Sequence, residues 1–257
     1  MKITIITITY NAAAVVRPTL DSVFRQAHND VEHWIIDGAS TDDTLQIVEE
    51  YKRHDDSTEN GHEVKILSEP DKGIYYAMNK GLERATGDYV LFLNAGDTLA
   101  SGNTLDEVCA SVGDGEKLPA VIYGDTDIVD ANHNFIRHRR LAPPERLTWR
   151  SFRHGMLVCH QAFYALRDIA KDIPYDTRYR HSADVDWCIK VLKEGKRRRL
   201  PNRRVHAVVA DFLDGGDTTQ NHRDSLKERF DVMRHHYGLI TTVAMHAWFV
   251  VRGFIKK

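Results

Sequence analysis

The sequence predicts an α/β protein built on a mostly parallel sheet with helices on its faces. Three observations predict it. Within residues 1–100, four short runs rich in apolar and β-branched residues alternate with helix-patterned segments, and such alternation gives parallel strands joined by right-handed crossovers. The run 89–93 (YVLFL) is apolar throughout, as a strand covered on both faces is. Each run also leaves through polar residues: Thr9 and Asn11, then Asp37, then Glu69 and Asp71, then Asn94 and Asp97. Ligands of open α/β sheets sit beyond the carboxyl ends of the strands. One polar strand end means only that loops are wet; four together favour a site.

The elements follow in order. Residues 3–9 are rich in Ile and Thr, which favours a strand. Pro18 suits the first turn of a helix, with Leu20, Val23 and Phe24 as its buried stripe. Residues 31–37 form a second strand. Ser40 reads as the N-cap, with Asp43 three residues on, of a helix carrying Leu45, Val48 and Tyr51. Residues 54–62 are polar and read as a surface loop, and 64–67 as a third strand. Ile74, Ala77, Met78, Gly81, Leu82 and Ala85 recur at helical spacing. Gly87 reads as the helix stop, a position that often needs positive φ.

Beyond Asp97 the alternation loosens. A helix is expected over 103–112. Strands are expected over 120–123 and 135–139, with a turn near Asp130-Ala131-Asn132. Residues 143–155 read as irregular and 162–164 as extended. A helix over 183–192 ends at Gly195, a strand covers 205–212, and helices run from about 224 to 237 and again from 239. This half is expected to extend the same sheet.

Composition narrows the function. The 257 residues are 42% hydrophobic and 28% charged with net charge -2, ordinary for a soluble globular protein and unlike a nucleic-acid binder. Cys109, Cys159 and Cys188 form no C-x-x-C pair, which argues against a disulfide framework or a zinc site. MKITIITITY reads as a first strand and not a secretory signal. No uninterrupted apolar stretch of about 20 residues occurs, so no transmembrane helix is expected. No G-x-G-x-x-G follows the first strand, which disfavours a dinucleotide enzyme. Tyr10-Asn11-Ala12-Ala13 is not the glycine-rich basic loop that a nucleotidyltransferase would place there.

The motifs TITYN, IIDGASTDDT, SEPDKGIYYAMNKGLERATGDYVLFLNAGD and ADVDW, in that order, resemble family 2 glycosyltransferases of the GT-A fold. The likeness is tight over residues 1–100 and looser over 160–219, and within the family it points to bacterial enzymes of polysaccharide or O-antigen assembly. It implies a GT-A domain over 1–220, with a nucleotide-sugar half (1–100) and an acceptor half (101–220), followed by a helical extension (221–257). Thr9, Tyr10 and Asn11 would line the nucleotide pocket, Asp37 would bond the base, and Lys72 would lie near base or phosphates. Asn94, Ala95, Gly96 and Asp97 stand where the family carries its acidic metal motif, with Asn94 and Gly96 in place of acids. Asp97 is then the expected ligand of Mn²⁺ or Mg²⁺, weak without donor because such ions fill their shells with phosphate oxygens and water. Asp184 stands at the position of the catalytic acid, preceded by Ala183 where Glu is usual. Gly215 to Thr219 resembles a loop near the donor diphosphate.

The implied reaction is inverting transfer of a sugar, from a UDP-sugar donor, to a saccharide or lipid-linked acceptor in cell-surface polysaccharide biosynthesis. The resemblance sets it in the cytoplasm, at the inner face of the membrane. The leaving diphosphate gathers negative charge that a metal can stabilise, and the acceptor hydroxyl must lose its proton to a base such as Asp184. The rivals are a non-catalytic nucleotide-sugar-binding module of the same fold and a nucleotidyltransferase. Asp184 also suits a plain helix-N-terminal acid, and Asp186 reads as structural. His160 and Gln161 are candidate acceptor contacts, set against satisfied structural residues. Tyr75 either reaches the ligand or packs in the core. His206 and His222 read as surface or cap residues before metal ligands. The cluster Arg197, Arg198, Arg199, Arg203 and Arg204 is either a solvated face or a reader of an anionic acceptor. The segment LITTVAMHAWFVVRGFIKK is expected to lie in a membrane interface, or to pack on the domain or in a dimer contact.

Overall fold

The computed structural model describes residues 1–113, 115, 117–215 and 222–255. In chain order the elements are β1 (Ile3–Thr9), α1 (Val16–Phe24), β2 (Val31–Asp37), α2 (Thr44–Asp56), β3 (His62–Ser68), α3 (Ile74–Arg84), β4 (Tyr89–Phe92), β5 (Thr98–Leu99) and α4 (Thr104–Ala110). They continue with β6 (Val121–Val129), β7 (Phe135–His138), 3-10 turns at Trp149–His154 and His160–Ala162, β8 (Phe163–Leu166), α5 (Arg167–Ala170), α6 (Ala183–Arg197) and β9 (Asn202–Leu213). Two helices follow, α7 (His222–Tyr237) and α8 (Leu239–Ile255).

One sheet takes strands from both halves of the chain, in the order β3-β2-β1-β4-β8-β6-β9-β5, with β7 paired to β6. The first four strands in this order are parallel. β8 runs antiparallel to β4 and β6, β9 lies parallel to β6, and β5 is antiparallel to β9.

All seven residues of β1 are buried, as its inner place requires. Its threonines answer the polar residues of β2: Thr4 donates to Glu32 at 2.6 Å, Thr7 lies 2.9 Å from His33 Nε2, and Thr9 donates to Asp37 at 3.1 Å. A buried carboxylate or imidazole is tolerated only with such partners. Glu32, fully buried, also takes Lys65, the Thr86 N–H and the Thr86 hydroxyl. Burial works to raise its pKa, but these bonds outweigh it and bring it to about 2. Register then sets the site: Thr9 pairs with Asp37, and Asp37 with Ser68. Three strand ends therefore finish on one level.

Glycine fixes how closely α3 approaches this sheet. A Cβ on Gly81 would lie 2.5 Å from Ile6 Cγ2, so the helix rests directly on β1.

Four local expectations are corrected. Ser40 is not a helix cap: α2 begins at Thr44 after Asp43, and Ser40 is drawn to Asp37. The expected loop over 54–62 is shorter, because α2 runs to Asp56 and β3 starts at His62. Gly87 does not adopt positive φ; it is needed for space, since its Cβ would meet Thr4 N at 2.7 Å. Gly195 lies inside α6 and not at its end, and its Cβ would meet Ala120 Cβ at 2.4 Å.

Candidate active site

At the shared level of β1, β2 and β3 sits Asp37, fully buried. Its Oδ1 accepts from Thr9 Oγ1 (3.1 Å) and Ser40 Oγ (2.5 Å), and its Oδ2 from Ser40 N (3.0 Å) and Ser68 Oγ (2.7 Å). A carboxylate has about four acceptor positions, and here protein donors fill them. Burial alone would raise this pKa, but the four bonds lower it. Asp37, the residue expected to bond the base, organises the rim through these protein donors. Thr9 and Asn11, expected to line the nucleotide pocket, stand at the same rim. Thr9 is buried against Asp37, and the Asn11 carbonyl accepts from Thr41 N at 2.9 Å.

Asp37→Asn is expected to cost about 1–3 kcal/mol, because an amide nitrogen replaces an acceptor facing two donors. Urea unfolding measures it. Since the folded pKa is lowered, the contribution of Asp37 exists above its unfolded pKa and fades as pH falls through the folded value. The deficit of the variant should shrink on acidification.

The open face of the rim belongs to Tyr10, 66% exposed. Gly38 lies beneath it: a Cβ there would be 3.3 Å from the Tyr10 ring and 3.6 Å from Asp71 Oδ2. Asp71 pairs with Lys80 at 2.5 Å, yet its buried Oδ2 has no hydrogen-bond partner. Asp71 stood among the strand-end acids of the sequence but carried no assigned role. Its signal was available, as an acid beside Lys72 at a strand end. Lys72 itself is exposed.

Asn94 to Asp97 follow β4 alongside β1, with Leu93 N donating to Ile6 O and Ala95 N to Ile8 O. Ala95 packs on the α1–α2 cluster around Val16 and Leu20. Gly96 takes φ 100° and donates its N–H to Thr19. The turn directs Asp97 inward, 5% exposed. Its Oδ1 accepts from Leu213 N at 3.0 Å and its Oδ2 from the Gln161 amide. Among the described residues no cation offsets its burial, which pushes the Asp97 carboxyl up to about 7 against the pull of those two bonds.

Two observations fit a hard cation here: among the described residues Asp97 has no counter-charge, and the buried Asn94 Oδ1 has no hydrogen-bond partner. Oxygen donors of this kind suit Mn²⁺ or Mg²⁺ sharing its shell with a diphosphate. Among the described residues no group of three or more His, Cys, Asp or Glu is placed to hold a metal by itself.

Asp184 opens α6, half-buried, and accepts from the Tyr75 hydroxyl at 3.3 Å. Tyr75 stacks on Tyr175 (5.6 Å), whose hydroxyl lies 2.6 Å from His160 Nε2. His160 stacks on Phe92 at 5.2 Å and abuts Trp187. Gln161 is the next residue, held by Cys159 Sγ at 2.9 Å and donating to Asp97. The two acids thus stand at the ends of one connected network: Asp97, Gln161, His160, Tyr175, Tyr75, Asp184.

That network engages both residues expected at the acceptor. His160 is 5% exposed inside an aromatic box, where burial lowers its pKa to about 4 and keeps it neutral. Gln161 has its amide engaged at both ends. Gln161 thereby holds Asp97, and His160 holds Tyr175, on which Tyr75 stacks. Asp186 is structural, as expected. It forms an ion pair with Lys190 at 2.6 Å, and its Oδ1 lies 2.7 Å from His236 Nε2, fastening α7 to α6.

A family model described as glycosyl transferase family 2 matches residues 4–174. The chain is a family 2 glycosyltransferase. It is 36% identical over 209 residues to a PGL/p-HBAD biosynthesis glycosyltransferase of Mycobacterium bovis (strain BCG / Pasteur 1173P2), covering 81% of this chain and 75% of that one. The fold is that of TarS 1–349 from S. aureus, solved with UDP-GlcNAc (TM-score 0.71, 20% identity, 91% of this chain). The chain spans 65% of that TarS fragment. It also resembles the mannosyltransferase PcManGT of Pyrobaculum calidifontis, solved with GDP-Man and Mn²⁺ (TM-score 0.64, 17% identity, 97% of this chain and 75% of that one). The expected GT-A architecture is the one this glycosyltransferase has. Family membership sets aside the nucleotidyltransferase and binding-module readings.

Residues 216–219 of the expected diphosphate loop lie outside the described residues, as does the side chain of His222. His206 is an exposed residue, its Nε2 3.6 Å from Glu145. The arginine cluster is largely neutralised: Arg197 and Arg198 bond Glu194, and Arg204 bonds Asp125 and Glu145. A cavity of about 320 Å³ adjoins the network, walled by Asp125, Asp127, His138, Leu141, Leu157 and Cys159. Its walls come from β6, β7, β9 and two loops, so no local pattern announces it.

Proposed function

We propose that this enzyme transfers a sugar from a UDP-sugar to a hydroxyl of a saccharide or lipid-linked saccharide, with inversion, in the making of a cell-surface polysaccharide. The observation that carries the reading is the network joining Asp97 to Asp184. It supports a diphosphate held at one end and an acceptor deprotonated at the other.

In this reading Tyr10 stacks on the base, and the unpaired Asp71 Oδ2 accepts a base N–H. Lys72 reaches the phosphates. Asp97 and Asn94 Oδ1 are the oxygens that would hold Mn²⁺ or Mg²⁺, which supplies charge neutralisation for the departing diphosphate. Asp184 accepts the proton of the acceptor hydroxyl. The acceptor oxygen forms its bond to the anomeric carbon opposite the leaving group, the bond from that carbon to the diphosphate oxygen breaks, and the nucleoside diphosphate departs. The cavity beside Cys159, with carboxylates over an apolar wall, suits a hydroxyl-rich acceptor ring. A UDP donor is favoured by the likeness to TarS, solved with UDP-GlcNAc.

Thermal unfolding with a panel of nucleotides and nucleotide sugars, with and without Mn²⁺, tests the donor. A ligand at 100 times its Kd adds about 2.7 kcal/mol. UDP-sugars with Mn²⁺ should raise the Tm by several degrees and GDP-sugars should not. Stabilisation confined to GDP-sugars would overturn the UDP assignment.

A further inference from the structure

We propose that α8 docks the protein on an anionic lipid bilayer through one apolar face, a proposal independent of the donor and acceptor chemistry. Ile240, Val243, Trp248 and Val251 are respectively 88%, 51%, 50% and 47% exposed. Ala244 and Ala247 are exposed between them. Positions 240, 243, 244, 247, 248 and 251 share one side of a helix. Soluble proteins expose large apolar residues singly; a continuous stripe marks an interaction face.

The other side of the helix is occupied. Thr242 is buried, and His246 packs on Phe230 of α7 at 5.0 Å. α7 is fastened in turn, by His236 to Asp186 and by Tyr237, which stacks on Trp149 and donates to its carbonyl at 2.5 Å. The stripe is therefore presented by a braced helix.

Charge names the occupant. From Val232 to Lys257 the sequence has no Asp or Glu, and it carries Arg234, Arg252, Lys256 and Lys257. An acid-free basic segment beside an apolar stripe complements a surface of anionic headgroups. It disfavours a second copy of the chain, which would bring two such basic segments together. The helix has 17 residues, about 26 Å at 1.5 Å each, short of the roughly 30 Å hydrocarbon core. Among the described residues no helix is long and apolar enough to cross a membrane. α8 therefore lies along the surface, with Trp248 at headgroup level, where indole rings concentrate.

The test uses the full chain with vesicles of phosphatidylcholine, with and without phosphatidylglycerol. Sedimentation with the anionic vesicles is expected, weakened by salt, with a blue shift of tryptophan emission that Trp248→Phe removes. Ile240→Ser combined with Val243→Ser and Val251→Ser should lower partitioning at least about tenfold while the thermal melt stays unchanged. Lys256→Glu with Lys257→Glu, which leaves the stripe intact, should lower it selectively at low salt. Failure to sediment with anionic vesicles overturns the proposal. So does a dimer in analytical ultracentrifugation that the triple variant dissociates, if lipid binding is unaffected by that variant.

Discussion

Asp184→Asn is expected to lower sugar transfer by about 10²–10⁴-fold, the range of general-base removal, while donor binding and the thermal melt stay as in the parent. The side chain accepts one bond, from Tyr75, and an amide oxygen can accept the same bond, so the fold has little reason to change. Tyr75 is buried, and burial first, then the nearby Asp184, raises its pKa well above the ordinary value. It therefore remains a hydrogen-bond donor at any working pH. Tyr75→Phe removes that donor and leaves the carboxylate, so its loss should be smaller, about fivefold for one bond of about 1 kcal/mol. Single-turnover transfer and equilibrium donor binding, measured on both variants, separate the roles. Full transfer by Asp184→Asn would remove Asp184 as the base. Equal losses in both variants would assign Tyr75 more than positioning.

Asp97→Asn should abolish the stabilisation that Mn²⁺ adds to a bound nucleotide, and cut transfer by about 10²–10³-fold as preorganised charge at the leaving group is lost. In metal-free protein it should do the reverse to stability. The folded pKa of Asp97 is raised to about 7 from 3.8. Between those values the folded state holds more protons than the unfolded one, so the parent loses stability as pH rises through this window. The loss is on the order of a few kcal/mol. The variant carries no charge to bury. Its Tm should therefore rise relative to the parent between pH 5 and pH 8, by several degrees, and the difference should flatten above about pH 8. Melts in chelator across that range check it. A Tm difference independent of pH would mean that Asp97 is ionised throughout.

The first hundred residues were legible because their signals are local. The apolar periods of β1 to β4 and α3, and the polar residues at each strand end, are properties of a few adjacent residues. What was not legible depends on partners distant in the chain. Asp37 looked free because Thr9 and Ser68, which fill it, are 28 and 31 residues away. Gln161 is 64 residues from Asp97, and nothing near position 161 announces the pairing. His160 could be placed near the centre by its motif, but its stacking on Phe92 follows only from the neighbouring strands. Ser40 shows a local rule losing to a tertiary one: its pattern matches an N-cap, and the buried carboxylate of Asp37 takes it instead. Gly87 and Gly195 carry the residue type of a helix stop, yet what they provide is clearance for a neighbouring backbone or side chain.

The contact of Gly81 with Ile6 has a bearing on the chemistry that neither residue performs. α3 begins at Ile74 and ends at Arg84, so Tyr75 rides on the first turn of a rod seated on the strands at its eighth residue. The height of that rod is set by a missing methyl group. Thickening the seat would tilt the whole rod and lift the phenol off its carboxylate, so the reach of Tyr75 to Asp184 is gauged two turns away by hydrogen where other residues carry carbon.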